Sequence, residues 1–231
     1  MPTIAIDTLD HRGQFSAYLA EPADAPRGAI VVIQEIFGVN EGIRAKCDKL
    51  AAQGYLAVAP DLFHRLERNV ELDPDQPDQF QRALGLMNRF DQTAAVGDIE
   101  ATIRAARARA GGGRVGCVGY CLGGRLAFMT AARTDVDASV GYYAVGLDNL
   151  LHEANAIAHP LMLHIAGADS FVPPEVQAKV HAQLDEHPKV TLHDYPGLNH
   201  GFATEMGERR DDQAATLADE RTAAFFAKHI G

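Results

Sequence analysis

The sequence predicts an open α/β sheet, mostly parallel, with helices on both faces. Three observations carry that reading. Strand-length apolar runs alternate with helix-period segments along the whole chain. Two of the runs, GAIVVIQEIFG and RVGCVGY, are almost continuously apolar, the pattern of strands buried on both faces. No shift in composition, repeat or low-complexity stretch breaks the alternation, so residues 1–231 read as one domain.

Taken in order, TIAIDTL and QFSAYLAEP alternate in polarity around DHRG and predict an N-terminal antiparallel hairpin. GAIVVIQEIFG is the first central strand. GIRAKCDKLAAQG has helical spacing and a glycine stop. YLAVAPDLF is the next strand, ended by Pro-Asp. Residues 67–80 are acidic and proline-containing, and predict a loop with a helix starting near its end. The long helical pattern QRALGLMNRFDQTAAVGDIEATIRAARARA breaks near Asp91 and closes at GGG. Strand RVGCVGY, a helix over 122–133 and strand ASVGYYA follow. After a polar loop come strand LMLHIAG, a helix from VPP to about 186, strand VTLHDYP and a final helix ending at about 228.

Composition narrows the function. The chain has 231 residues, 47% of them hydrophobic and 23% charged, enough for a full core. Its formal net charge of −10, without a basic stripe, argues against nucleic acid or an anionic membrane as partner. No apolar run reaches spanning length, and the N-terminus lacks a signal-peptide pattern, so a cytoplasmic location is expected. Three cysteines without CxxC or a nearby histidine pair argue against a disulfide framework and against zinc. Neither a phosphate loop nor a dinucleotide fingerprint is present, and no cofactor is expected.

In a sheet of this kind chemistry collects beyond the carboxyl ends of the strands. Glu35, Asp61, Cys121, Asp169 and His200 stand there. Gly119-Tyr120-Cys121-Leu122-Gly123 has the G-x-S-x-G spacing with cysteine in place of serine. Glycines flank such an elbow because a tight strand-to-helix turn has no room for Cβ atoms. The helix that follows offers free N–H groups and positive dipole character, which favour a thiolate and a developing oxyanion; the Leu122 N–H is the first donor. A small buried hydrophobe in a glycine-rich turn would satisfy the same pattern. Two later segments decide between them. AGADSFVPP places Asp169 after one strand, and PGLNHGF places His200 after the last. Nucleophile, acid, histidine is the chain order of α/β-hydrolases. His200 then takes the thiol proton, and Asp169 fixes its tautomer. Of the other histidines, His164 reads as core, His64 as able to line the cleft, and His181, His187 and His229 as surface. Cys47 and Cys117 read as packing.

With GYCLGG, AGADSFVP, LNHGF, IQEIFGVN and YLAVAPDLF on the page, the sequence resembles the dienelactone hydrolase (carboxymethylenebutenolidase) family of the α/β-hydrolase fold over nearly its whole length. The resemblance implies that Glu35 lies near the nucleophile and helps turn thiol into thiolate. It also implies that the Ile36 N–H is the second oxyanion donor. The family holds its substrate carboxylate with two arginines. Here Thr204 stands at one of those places and Phe80 at the other, with Arg82 two residues on as the candidate replacement. At least one arm of that clamp is missing.

The expected activity is hydrolysis of carboxylic esters or lactones through a thioester, with a neutral substrate favoured over a doubly charged one. The expected partner is a small-molecule ester or lactone, and the expected state a monomer or weak homodimer. An activated phosphotriester as substrate, or a non-catalytic role built on a redox-active Cys121, are the alternatives.

Overall fold

The computed structural model describes residues 2–231. Eight strands form one sheet: β1 (Thr3–Asp7), β2 (Gln14–Ala20), β3 (Ala29–Ile33), β4 (Leu56–Pro60), β5 (Val115–Tyr120), β6 (Ala138–Tyr142), β7 (Leu161–Ala166) and β8 (Val190–Tyr195). Their spatial order is β1-β2-β4-β3-β5-β6-β7-β8. β1 and β2 form the expected antiparallel hairpin, β2 also runs antiparallel to β4, and every other pairing is parallel. All residues of β3 and β5 are buried, as their unbroken apolar sequences require.

Six helices cover the two faces: α1 (Glu41–Ala52), α2 (Pro77–Met87), α3 (Gln92–Arg109), α4 (Leu122–Arg133), α5 (Pro174–Leu184) and α6 (Asp212–His229). Strand alternation divides the core between them. Ile30 and Val32 pack with Ile43 and Cys47 of α1 and Phe226 of α6. Val31 and Ile33 face the other way, with Ile99 of α3, Leu126 of α4 and Leu184 of α5. The break expected near Asp91 is the N-cap of α3, whose carboxylate accepts from the Thr93 and Ala94 N–H groups. No helix among the described residues is long and apolar enough to cross a membrane.

Two sequence expectations are revised. ASVGYYA was expected to be strand throughout, yet β6 stops at Tyr142 because Tyr143 turns into the left-handed region at φ +36°. His64, read as able to line the cleft, packs against Phe15 and bonds Asp98 at 2.9 Å. Asp98 is 1% exposed and also takes both arms of the Arg65 guanidinium, at 3.0 and 2.6 Å. Burial by itself raises the Asp98 carboxyl, but the bonds from His64 and Arg65 outweigh it and hold it below the usual carboxylate range.

That cluster ties α3 to the segment after β4. Asp98→Asn is therefore expected to destabilise the fold by about 2–4 kcal/mol, read as a lower denaturation midpoint. The folded carboxyl titrates below the unfolded one, so its contribution is complete above a pH of about 4. It is lost as pH falls through the folded value. The variant should consequently lose less stability on acidification than the wild type.

Candidate active site

The elbow between β5 and α4 is set by close backbone approach. A Cβ on Gly119 would lie 1.9 Å from the Gly123 carbonyl oxygen, and one on Gly123 would lie 2.4 Å from that of Ile33. Both distances are far inside van der Waals contact, so only glycine fits. Between them Cys121 adopts φ +57°, ψ −114°, a conformation costly for a residue with a Cβ. Its N–H donates to the Tyr142 carbonyl at 3.0 Å, which fixes the turn to the neighbouring strand. Cys121 precedes the first turn of α4 and is partly exposed, whereas Cys47 and Cys117 are buried. Burial drives the Cys117 thiol up to about 12 and that of Cys47 further still.

Asp169 and His200 arrive on the loops after β7 and β8. The His200 Nδ1 lies 2.9 Å from Asp169 Oδ2, both side chains being almost fully buried. With that nitrogen assigned the proton, Nε2 is left free for the thiol. The other Asp169 oxygen accepts from the Phe171 N–H at 2.8 Å. Sequence reasoning missed Asn199, which joins these two loops. Its Oδ1 accepts from the Ser170 N–H at 2.9 Å and from the His200 N–H at 2.7 Å. Burial, the largest influence, pushes the His200 ring down. Beside an ionised Cys121, the thiolate charge and the bond to Asp169 together outweigh it and hold the imidazolium up to about 10.

Cys121 and His200 open onto one cavity of about 220 Å³, shared with Glu35 and Ile36. Burial pushes the Glu35 carboxyl up, against smaller opposing pulls from His200, Arg209 and Lys46. Leu122 is the first residue of α4, so its N–H has no acceptor within the helix. Neither it nor the Ile36 N–H has a backbone acceptor among the described residues.

The substrate side differs from expectation. Phe80 lines the cavity, 5.9 Å from the Phe37 ring, together with Leu84 and Met87. Residues i, i+4 and i+7 share one helix face, and i+2 lies roughly opposite. Arg82 is accordingly turned to the surface, where it pairs with Glu67; it does not line the cavity. Thr204 does not line it either. Its hydroxyl donates to the Met206 carbonyl at 2.8 Å, and it borders a smaller cavity behind Glu35. The cation that does line the main cavity is Arg209, which no sequence pattern marked. Its guanidinium sits 5.8 Å above the Phe37 ring and forms no salt bridge among the described residues, although its charge pulls on Glu35.

Relatives agree with this architecture. The sequence pattern of the dienelactone hydrolase family matches residues 15–230. The chain is 50% identical to a relative from Azospirillum brasilense, over 100% of both chains. It is 42% identical to a protein from Pseudomonas putida named carboxymethylenebutenolidase, over 97% of this chain and 95% of that one. A crystal structure from Klebsiella pneumoniae, described as a candidate dienelactone hydrolase, superposes with a TM-score of 0.84 at 27% identity, covering 99% of this chain and 100% of that one. A glycine-locked cysteine elbow, an acid-bound histidine and relatives of this closeness lead to one assignment: the chain belongs to the dienelactone hydrolase family.

Proposed function

We propose that the protein hydrolyses lactones or enol esters bearing a single carboxylate, with Cys121 as nucleophile, His200 as acid and base, and Asp169 as the partner that orients His200. The observation that carries the proposal is the shared cavity. Cys121, His200, Glu35 and Ile36 line it, Arg209 stands on its wall, and Asp169 holds His200 from behind.

The steps follow from those positions. The Cys121 thiol passes its proton to His200 Nε2, and the sulfur attacks the carbonyl carbon. The oxyanion that forms is received by the N–H groups of Ile36 and Leu122, at the positive end of α4. Collapse breaks the carbon–oxygen bond, and the imidazolium returns its proton to the leaving oxygen. Water then approaches the thioester, gives a proton to His200 and adds to the carbonyl carbon. The carbon–sulfur bond breaks, the acid is released and the thiol is restored. A thiolate expels a stabilised enolate more readily than a simple alkoxide, because the poorer leaving group returns the sulfur instead.

Arg209 supplies the preference for charge. It forms no salt bridge among the described residues, so a substrate carboxylate gains a charge-assisted bond without breaking an existing pair. The apolar wall from Phe37, Phe80, Leu84 and Met87 accepts the conjugated carbon frame.

Three measurements test this reading. Cys121→Ala should lower kcat on an activated ester by at least about a thousandfold with an unchanged melting curve. Retained turnover would remove Cys121 from the chemistry. Arg209→Gln should cost roughly 10- to 100-fold in kcat/KM for a carboxylate-bearing lactone, and much less for a neutral ester of similar size. Equal losses on both would remove the clamp. The acylation burst with p-nitrophenyl acetate should persist through neutral pH and fall as pH passes about 10, where the thiolate–imidazolium pair loses the proton its two members share. A base limb near 7 would separate His200 from the thiol.

A further inference from the structure

Tyr143 stands directly after β6 and combines two unfavourable features. Its backbone is left-handed at φ +36°, and its hydroxyl is buried without a hydrogen-bond partner. Each is costly in a folded protein. Phenylalanine would remove the second cost at no loss of packing.

The turn has a clear geometric effect. Neighbouring residues of a strand point to opposite faces. Tyr142 and Tyr143 nevertheless share one core cluster, with ring centroids 6.1 Å apart. The left-handed turn has brought the second tyrosine onto the face of the first. Its ring now meets His200 edge-on at 4.9 Å and Phe202 at 5.6 Å. Its side chain borders the small cavity of about 10 Å³ behind Glu35, which Glu35 itself also lines. Tyr120 also borders this space without a side-chain hydrogen bond among the described residues, whereas three other side-chain donors there are engaged. Asn40 donates to the Leu72 carbonyl, Lys46 to Glu205 and Asp219, and Thr204 to Met206. Glu35 thus stands between two spaces, the substrate cavity on one side and the Tyr143 cavity on the other.

We infer that Tyr143 is a positioning residue for Glu35, its hydroxyl serving as the donor that holds the ionised carboxylate turned into the small cavity, directly or through one water. The inference rests on the reading of Cys121 as the nucleophile beside Glu35. A buried carboxylate without a donor stays protonated, and a protonated Glu35 exerts no charge on the neighbouring sulfur. With the donor in place, Glu35 ionises and the resting thiol keeps its proton until substrate arrives. The charges that face Glu35 are His200, Arg209 and Lys46, with Cys121 on the substrate side and Glu205 beyond Lys46.

The test is the pH dependence of Cys121 alkylation by iodoacetamide, followed by peptide mass spectrometry in Tyr143→Phe, Glu35→Gln and the double variant. This readout needs no turnover, and the buried Cys47 and Cys117 do not compete. Tyr143→Phe should stay folded, because the ring keeps its packing against His200 and Phe202. Its alkylation at neutral pH should rise roughly three- to tenfold, because Glu35 then carries less charge. In the Glu35→Gln background the same change should have no effect. A carboxyl-carbon NMR titration of Glu35 should move up by about one unit in Tyr143→Phe. An unchanged alkylation profile, a fall in rate (the mark of a hydroxyl serving the thiolate), or an equal rise in the Glu35→Gln background would overturn the inference. Failure of the nucleophile assignment would show separately, as ester turnover surviving in Cys121→Ala.

Discussion

The architecture of the site depends on one steric constraint: the backbone at Gly119 and Gly123 approaches so closely that no side chain fits between. That approach bends the chain from β5 into α4 within one residue, and Cys121 occupies the bend. Its left-handed backbone aims the sulfur away from the sheet and into the cavity. The same bend places the start of a helix under the reacting carbonyl, so nucleophile and oxyanion donor come from adjacent residues. The strain is held by the buried sheet on either side, with β3 and β6 both bonded to β5.

Around that point the electrostatics are arranged in layers. Asp169 and His200 form a nearly water-free pair, which keeps the imidazole in one tautomer. Glu35 lies in a place where burial opposes its charge, with three cations moderating the effect. Arg209 is the cation on the cavity wall left without a salt bridge among the described residues, and the aromatic ring of Phe37 supports it instead. Charge in this space is carried by Glu35, His200 and Arg209, against a lining that is otherwise largely hydrocarbon.

Much of this was legible in the residues. Continuous apolar runs located β3 and β5, and the order of Cys121, Asp169 and His200, each after a strand, pointed to side chains that the structure gathers at one cavity, Asp169 bonded to His200 and His200 lining it with Cys121. What escaped has physical reasons. Arg209 lies nine residues past His200 in a polar loop with no periodicity, where nothing local indicates which way it points. Arg82 was tied to the cavity by sequence register, but on a helix two residues of offset reverse the facing, and Phe80 took the inward position. Thr204 was read as a substrate contact for the same reason and lies behind Glu35. ASVGYYA has the composition of a strand to its end, so the turn at Tyr143 left no local signal. Asn199 looked like an ordinary loop residue because its two partners, Ser170 and His200, sit on different loops.

Asn199 also bears on how the protein fluctuates. One side-chain oxygen grips amides from both loops that supply the acid and the base. Thermal displacement of either loop must drag the other with it, so the pair drifts as a rigid unit relative to the sulfur. Whatever looseness the enzyme has is thereby confined to the gap between imidazole and thiol, the one separation that proton transfer itself must close.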